Sequence, residues 1–312
     1  MSRSIGLAHI VRQKDRTSTG VWGAYTLKSA FQPIFRFIDG RLELTAFEGL
    51  IRAFRGGEGV SPGAFFGSVP PGERLHVETL TRTLHLLNAS ACLDPRASVF
   101  VNFDPSLFVE PAVAQGALRD MRLVLHEAGI DPARVVCEVT EQRTASEVAL
   151  HAFVRALREQ GFRIAIDDYG AEESGIHRIN HLHPDIVKFD AHWISRLMST
   201  RPGAALLETM VAEFHKRGIE SLFEGLEEPW QLEIAEKCKV DMVQGFVLAR
   251  PEIAPTSFGV FARQTADTPA RHRRGEAAGT GDAVPAAAAR PEPLATPRRA
   301  ARRTAFGHRG VR

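Results

Sequence analysis

Eight side chains able to do acid, base or metal chemistry fall at or near the C-terminal ends of seven short apolar runs. They are Glu48, Asn102, Glu138, the adjacent pair Asp167 and Asp168, Lys188, Glu224 and Gln244. The sharpest of these runs is Arg163-Ile-Ala-Ile-Asp-Asp-Tyr-Gly170, in which a β-branched stretch stops at two neighbouring carboxylates. Two carboxylates about 4 Å apart repel by roughly 4 kcal/mol at an effective dielectric near 20, so a positive partner is called for. A divalent cation is one such partner; a helix N-cap is the other common use of an Asp just past a strand. Oxygen donors with neither Cys nor His among them favour a hard cation, Mg²⁺ or Mn²⁺. Five carboxylates and an amide suit two ions sharing a bridging carboxylate, an arrangement that activates water for in-line phosphoryl displacement. Lys188 then positions that water or offsets phosphate charge. Arg52, on the turn after Glu48, is placed to hold a phosphate through two parallel hydrogen bonds.

The elements that carry these residues alternate. Ala30–Ile38 and Leu42–Glu48 read as an antiparallel strand pair around an Asp39-Gly40 turn. Helical patterns then separate strands at Ser98–Phe103, Arg134–Glu141, Arg163–Tyr169, Asp185–Asp190, Glu220–Glu224 and Val240–Gly245. About eight strands with intervening helices over some 235 residues predict an α/β fold, a (β/α)₈ barrel whose first strand pair is antiparallel. In such a barrel the C-terminal strand ends converge on one face, which is where the polar residues lie.

Composition is that of an ordinary soluble domain, with 44% hydrophobic and 24% charged residues among 312, enough for a large core. Charge is unevenly spread. Gln264–Arg312 holds ten Arg against four acids, a balance of +6, which leaves −4 for the 263 residues before it. The expected organisation is a polar leader over 1–22, a barrel over 23–262 and a disordered Arg/Ala/Pro-rich tail over 263–312. Three scattered cysteines without a CxxC, and no signal peptide or membrane span, predict a cytoplasmic protein.

In order and spacing, Gln32-Pro-Ile, Glu48-Gly-Leu-Ile-Arg52, Val-Asn102-Phe, Glu138-Val-Thr-Glu141, Asp167-Asp-Tyr-Gly170, Lys188-Phe-Asp, Glu224-Gly-Leu-Glu227 and Gln244-Gly-Phe resemble the EAL domain. The resemblance covers about residues 27–258. It implies a metal-dependent phosphodiesterase that opens the bacterial second messenger cyclic di-GMP to linear pGpG, with two divalent cations, Mg²⁺ or Mn²⁺. By the same resemblance Glu48, Asn102, Glu138, Asp167 and Asp168 are the metal ligands, Asp167 the bridge. Lys188 and Glu224 join Glu48 as catalytic residues, Lys188 holding the water. Gln32, Leu50, Arg52 and Gln244 line the nucleotide site, and Glu141 braces the loop after Asp168. A homodimer and a regulatory protein partner are further implications.

Two departures stand out. The name motif reads Glu-Gly-Leu, a mild change at a non-ligand position. The loop after the Asp pair reads Ala171-Glu-Glu-Ser-Gly-Ile176, where the family has Thr-Gly-Tyr-Ser-Ser-Leu. That loop leaves open a second reading, a catalytically weak or silent receptor or interaction module. A third reading is a regulator that touches nucleic acid through the basic tail.

Overall fold

Asp39 and Gly40 both adopt positive φ, 48° and 70°, the geometry of the tight hairpin turn expected between the first long strands. In the computed structural model, which describes residues 6–108, 110–140, 146–171 and 175–258, the chain opens with β1 (Ile10–Arg12) and β2 (Ser18–Trp22). The hairpin strands β3 (Tyr25–Ile38) and β4 (Arg41–Arg55) and the short β5 (Glu58–Val60) follow. Helices α1 (Pro62–Ser68) and α2 (Arg74–Cys92) lead to β6 (Ser98–Phe103). Then strands and helices alternate: α3 (Pro111–Ala128), β7 (Val135–Thr140), α4 (Glu147–Glu159), β8 (Arg163–Tyr169), α5 (Gly175–Leu182) and β9 (Ile186–Phe189). The chain continues through α6 (Ala191–Met198), α7 (Arg201–Lys216), β10 (Glu220–Phe223), α8 (Pro229–Lys237), β11 (Met242–Val243) and β12 (Glu252–Ile253).

Eight of these strands close into a barrel in the order β3-β4-β6-β7-β8-β9-β10-β11, with β11 returning to β3. Neighbours are parallel except at β3, which runs antiparallel to both β4 and β11. The chain is therefore a (β/α)₈-type barrel with an antiparallel first pair. Its interior is filled by one side chain from each strand: Ile34, Ala46, Phe100, Val136, Ala165, Ile186, Leu222 and Met242, all nearly inaccessible to solvent. The larger core lies between the strands and the surrounding helices.

β3 and β4 are longer than the barrel needs. Their outer halves join β1, β2 and β5 in an antiparallel extension. Leu27, Ile51 and Ala53 on that sheet bury against Phe65 and Val69 of the α1 region and Val77, Leu80 and Leu84 of α2. Residues 10–22 thus correct the expectation of a loose leader. Their Ser, Thr and Gly content disguises two strands, β1 at the edge on β2 and β2 on β3, whose stability comes from this pairing and from α2 rather than from their own hydrophobicity. The predicted tail over 263–312 lies outside the described residues, as does Glu141. No helix among the described residues is long and apolar enough to cross a membrane.

Candidate active site

Two residues beyond each interior apolar side chain, in the direction of the barrel mouth, stands a polar one. Ala46 is followed by Glu48, Phe100 by Asn102, Val136 by Glu138 and Ala165 by Asp167. Ile186 is followed by Lys188, Leu222 by Glu224 and Met242 by Gln244. On the antiparallel β3 the same step runs backwards, from Ile34 to Gln32. Because side chains alternate along a strand with period two, this is one ring of eight polar residues resting on a ring of eight apolar ones. The sequence pattern shows seven of its members at strand ends; Gln32 is the eighth, hidden because its strand runs the other way.

Lys188 sits near the middle of the ring with 1% of its side chain exposed. Its Nζ touches Glu138 Oε1 and lies 2.8 Å from Glu224 Oε1, 3.0 Å from Asp167 Oδ1 and 3.9 Å from Glu48 Oε1. Burial alone would strip its proton, but the attraction of Asp167, Glu138, Glu224 and Glu48 prevails and holds the ammonium well above its ordinary range. One cation does not satisfy four acids. Burial raises Glu138 well above the usual carboxylate range, Lys188 opposes this, and Glu48 and Asp167 reinforce it. Glu224 is raised in the same way, by burial against Lys188, with Asp167 and Glu48 adding to it. Asp168 is raised by burial and then by Asp167. The cluster is short of positive charge.

The Asp pair owes its placement to a β-bulge. Ile166 faces Val187 on β9 while Tyr169 faces Phe189, so three steps on β8 match two on β9. Asp168 takes φ 60°, a left-handed conformation that Asp tolerates better than most residues. Both acids therefore line the same cleft. Asp167 Oδ1 accepts the Asp168 amide at 3.1 Å, and α5 starts only at Gly175, so neither acid serves as its cap. The N-cap role belongs to Asp190, which accepts the Trp193 amide at the start of α6.

The donor set fits hard divalent cations in kind. All of its atoms are oxygens, and the buried Glu138 Oε2 has no hydrogen-bond partner among the described residues. Such an orphaned acceptor is costly unless a ligand satisfies it. As they stand, no three acidic, His or Cys side chains among the described residues converge on an ion position. The Lys188 ammonium fills the space between them, so ion binding asks the carboxylates to turn from it.

Two clefts open on this face. One, of about 350 Å³, is lined by Gln32, Glu48, Asp167, Asp168, Lys188, Glu224 and Gln244, together with Glu227 and Phe246. The other, of about 390 Å³, holds Leu50, Arg52 and Asn102 beside Phe66, Arg74, Arg82 and His85. Apart from the buried Glu138, which lines neither, the predicted residues among those described are thus divided between two clefts to which β4 contributes, and Asn102 is the exposed member of the ring. Gln244 does more than line a wall: its Nε2 donates to Glu48 Oε2 at 2.9 Å and fixes that carboxylate.

Several residues at the site escape a reading of strand ends. Phe246 is 45% exposed at the cleft mouth, with the Arg250 guanidinium 4.2 Å from its ring centroid. Arg82, on α2, is buried; its Nη1 donates to the Asn102 carbonyl at 3.3 Å and pairs with Glu78 at 3.2 Å. Nothing in the α2 sequence separates that Arg from a surface one. The glycine of Glu-Gly-Leu also has a reason. A Cβ on Gly49 would lie 2.9 Å from the ring of His85, which is buried and bonded to Ser29 Oγ at 2.9 Å.

The EAL domain family profile matches residues 23–251. A probable cyclic di-GMP phosphodiesterase of Escherichia coli, PdeA, is 24% identical over 180 residues, 57% of this chain but 24% of that protein. The Bacillus subtilis YkuI protein, with an EAL domain, in complex with cyclic di-GMP and calcium, superposes with a TM-score of 0.66. It is 24% identical, over 77% of this chain and 59% of that one. Klebsiella pneumoniae BlrP1, in a complex with manganese and cyclic di-GMP, gives a TM-score of 0.64 at 25% identity, over 73% of this chain and 56% of that one. The chain spans about a quarter of the length of PdeA and less than two thirds of either solved chain.

Proposed function

Since the chain belongs to the EAL domain family, we propose that it hydrolyses cyclic di-GMP to linear pGpG with the help of divalent cations. The observation that carries this reading is the ring itself: four carboxylates around one buried ammonium at the barrel mouth, short of positive charge and beside an open cleft. Glu48, Asn102, Glu138, Asp167 and Asp168 would hold the cations, with Mg²⁺ or Mn²⁺ the expected ions. When bound, two such ions supply charge to the phosphoryl oxygens and lower the pKa of water. The calcium and manganese in the YkuI and BlrP1 structures support a divalent requirement here.

The chain's own residues do the rest. Lys188 donates from Nζ to the oxygen of the attacking water, and Glu224 accepts a hydrogen bond from that water. The water oxygen bonds to phosphorus as the bond from phosphorus to the 3′-oxygen breaks. The water proton is lost to the cluster, and the departing 3′-oxygen regains one from solvent. The product is the opened dinucleotide with a terminal 5′-phosphate. Gln244 holds Glu48 in register, while Gln32, Leu50 and Arg52 seat the nucleotide. The free thiols of Cys92, Cys137 and Cys238 support a cytoplasmic setting. A homodimer and a regulatory partner remain part of the proposal.

The test is hydrolysis of cyclic di-GMP by purified protein with Mg²⁺ or Mn²⁺, beside Glu48→Ala and a chelator control. We expect pGpG only from the wild type with metal. The acidic Glu172-Glu173 pair in the loop favours a second reading, a receptor that binds the dinucleotide without cleaving it. Binding without turnover would select that reading, and neither binding nor turnover would sink both.

A further inference from the structure

The face of the β3–β4 hairpin that carries Gln32 and Glu48 continues outward beyond the acidic ring. The register pairs Gln32 with Glu48, Ala30 with Leu50, Lys28 with Arg52 and Thr26 with Phe54, and no bulge interrupts it between these pairs. Period-two alternation puts all of them on one face. Lys28 and Arg52 stand directly opposite each other, four residues from Gln32 and Glu48, about 13 Å along the strands at the usual rise.

Two like charges at directly opposed strand positions destabilise a sheet. Here relief is slight, an attraction between Glu48 and Arg52 from beyond ion-pair distance. Among the described residues neither group has a carboxylate within 4.0 Å. Glu48, the next acid along this face, is already engaged by Gln244 and Lys188. Both cations are half-buried rather than splayed into solvent. The Lys28 ammonium lies 5.3 Å from the Phe54 ring centroid, and Arg52 Nη1 donates to the Ile51 carbonyl at 2.9 Å. Each is tethered to the face by a neutral partner, which keeps it in place without neutralising it.

We propose that Lys28 is a second anion-binding residue of this chain and forms with Arg52 a two-cation clamp on a phosphate of the substrate remote from the acidic ring. This rests on the phosphodiesterase reading above. It adds a residue that the strand-end pattern does not contain. The ring carries excess negative charge and repels a dinucleotide until ions neutralise it. A pair of unneutralised cations on the adjoining ladder offers the anionic ligand a first point of attachment and fixes its direction across the strands.

The test is the affinity of cyclic di-GMP in the presence of Ca²⁺, measured by calorimetry on the full chain at several salt concentrations. The variants are Lys28→Ala, Lys28→Glu, Lys28→Arg, and Lys14→Ala as a matched charge loss in the β1–β2 turn. Loss of one charge-assisted contact is expected to weaken binding about tenfold in Lys28→Ala. The loss should be larger in Lys28→Glu, with Lys28→Arg and Lys14→Ala close to wild type. The salt dependence of binding should flatten in Lys28→Ala, a change that a merely structural role would not produce. In turnover the loss should fall on KM rather than kcat. Wild-type binding with Lys28→Ala and Lys28→Glu indistinguishable from it would overturn the clamp and leave the phosphodiesterase reading standing. A wild type that does not bind cyclic di-GMP at all would overturn that reading and the clamp together.

Discussion

Lys188 carries one positive charge against the carboxylates of Glu48, Glu138, Asp167 and Glu224, and this imbalance governs the site before any substrate arrives. Removing the ammonium while keeping the volume, as in Lys188→Met, leaves buried acids with no cation. Breaking a buried ion pair in this way costs about 3–5 kcal/mol. Urea unfolding at pH 8 in the presence of a chelator should show a loss of that order. Added Mn²⁺ should then recover more stability in the variant than it adds to the wild type, because ions that bind only the folded cluster shift the equilibrium by mass action. A variant as stable as wild type in chelator, and indifferent to Mn²⁺, would contradict the charge account. The acids of this cluster were legible in the sequence because each ends an apolar run. The bulge that turns Asp168 into the same cleft as Asp167 was not, since φ 60° at an Asp leaves no mark in composition or spacing.

At the scale of elements, β4 and α2 meet where Gly49 faces His85. The contact explains why this chain has Gly where its family has Ala. Gly49→Ala would press a methyl into the imidazole, an overpacking worth about 1–3 kcal/mol. Pairing it with His85→Ala should cost less than the sum of the single changes, since the two sites share one space. Melting curves of the three variants decide this, and strict additivity would refute the coupling. The same histidine gives a pH signature. Burial, with Arg52 and Arg82 adding to it, depresses the His85 imidazole to about 3 from its ordinary value of 6.5. The folded state therefore binds fewer protons than the unfolded one between those values, and stability falls as pH drops from 6.5 towards 3. Between pH 6.5 and 5 the loss is about 1.6 kcal/mol, because the slope starts at half of 1.36 kcal/mol per unit, where the unfolded imidazole is half protonated, and approaches the full value below. His85→Gln should flatten that slope in denaturant titrations; an unchanged slope would place its origin elsewhere. Period and turn chemistry predict α2 and the hairpin well. They are silent on which polar residues of α2 turn inward, because Arg82 and His85 are buried through contacts with β6 and β3 that lie far off in sequence.

Across the whole molecule, the matched family region begins at residue 23, yet the folded unit begins earlier. β2 pairs with β3, and Asn88 of α2 reads its backbone from both sides. Asn88 Oδ1 accepts the Ser18 amide at 2.6 Å, and Nδ2 donates to the Ser18 carbonyl at 3.0 Å. Asn88 is 1% exposed, so it has no solvent to fall back on. Deleting residues 1–22 would orphan the Asn88 Oδ1, at about 1–3 kcal/mol for an unsatisfied group, and leave Nδ2 only its bond to Ser29 Oγ at 3.0 Å. It would also uncover the edge of β3, a template for pairing with another chain. The sequence concealed this because residues 10–22 are polar and short of hydrophobic alternation. Their role is to close an edge and satisfy a buried side chain, which needs backbone groups rather than apolar ones. Deleting 263–312 removes residues that we propose lie outside the barrel, and it should leave the melting temperature unchanged. Scanning calorimetry and light scattering on the two truncations separate the alternatives. A lower melting temperature with aggregation only in the first truncation would assign β1 and β2 to the barrel's folding unit. Equal melting of both truncations and the full chain would mean that the family boundary is the physical one.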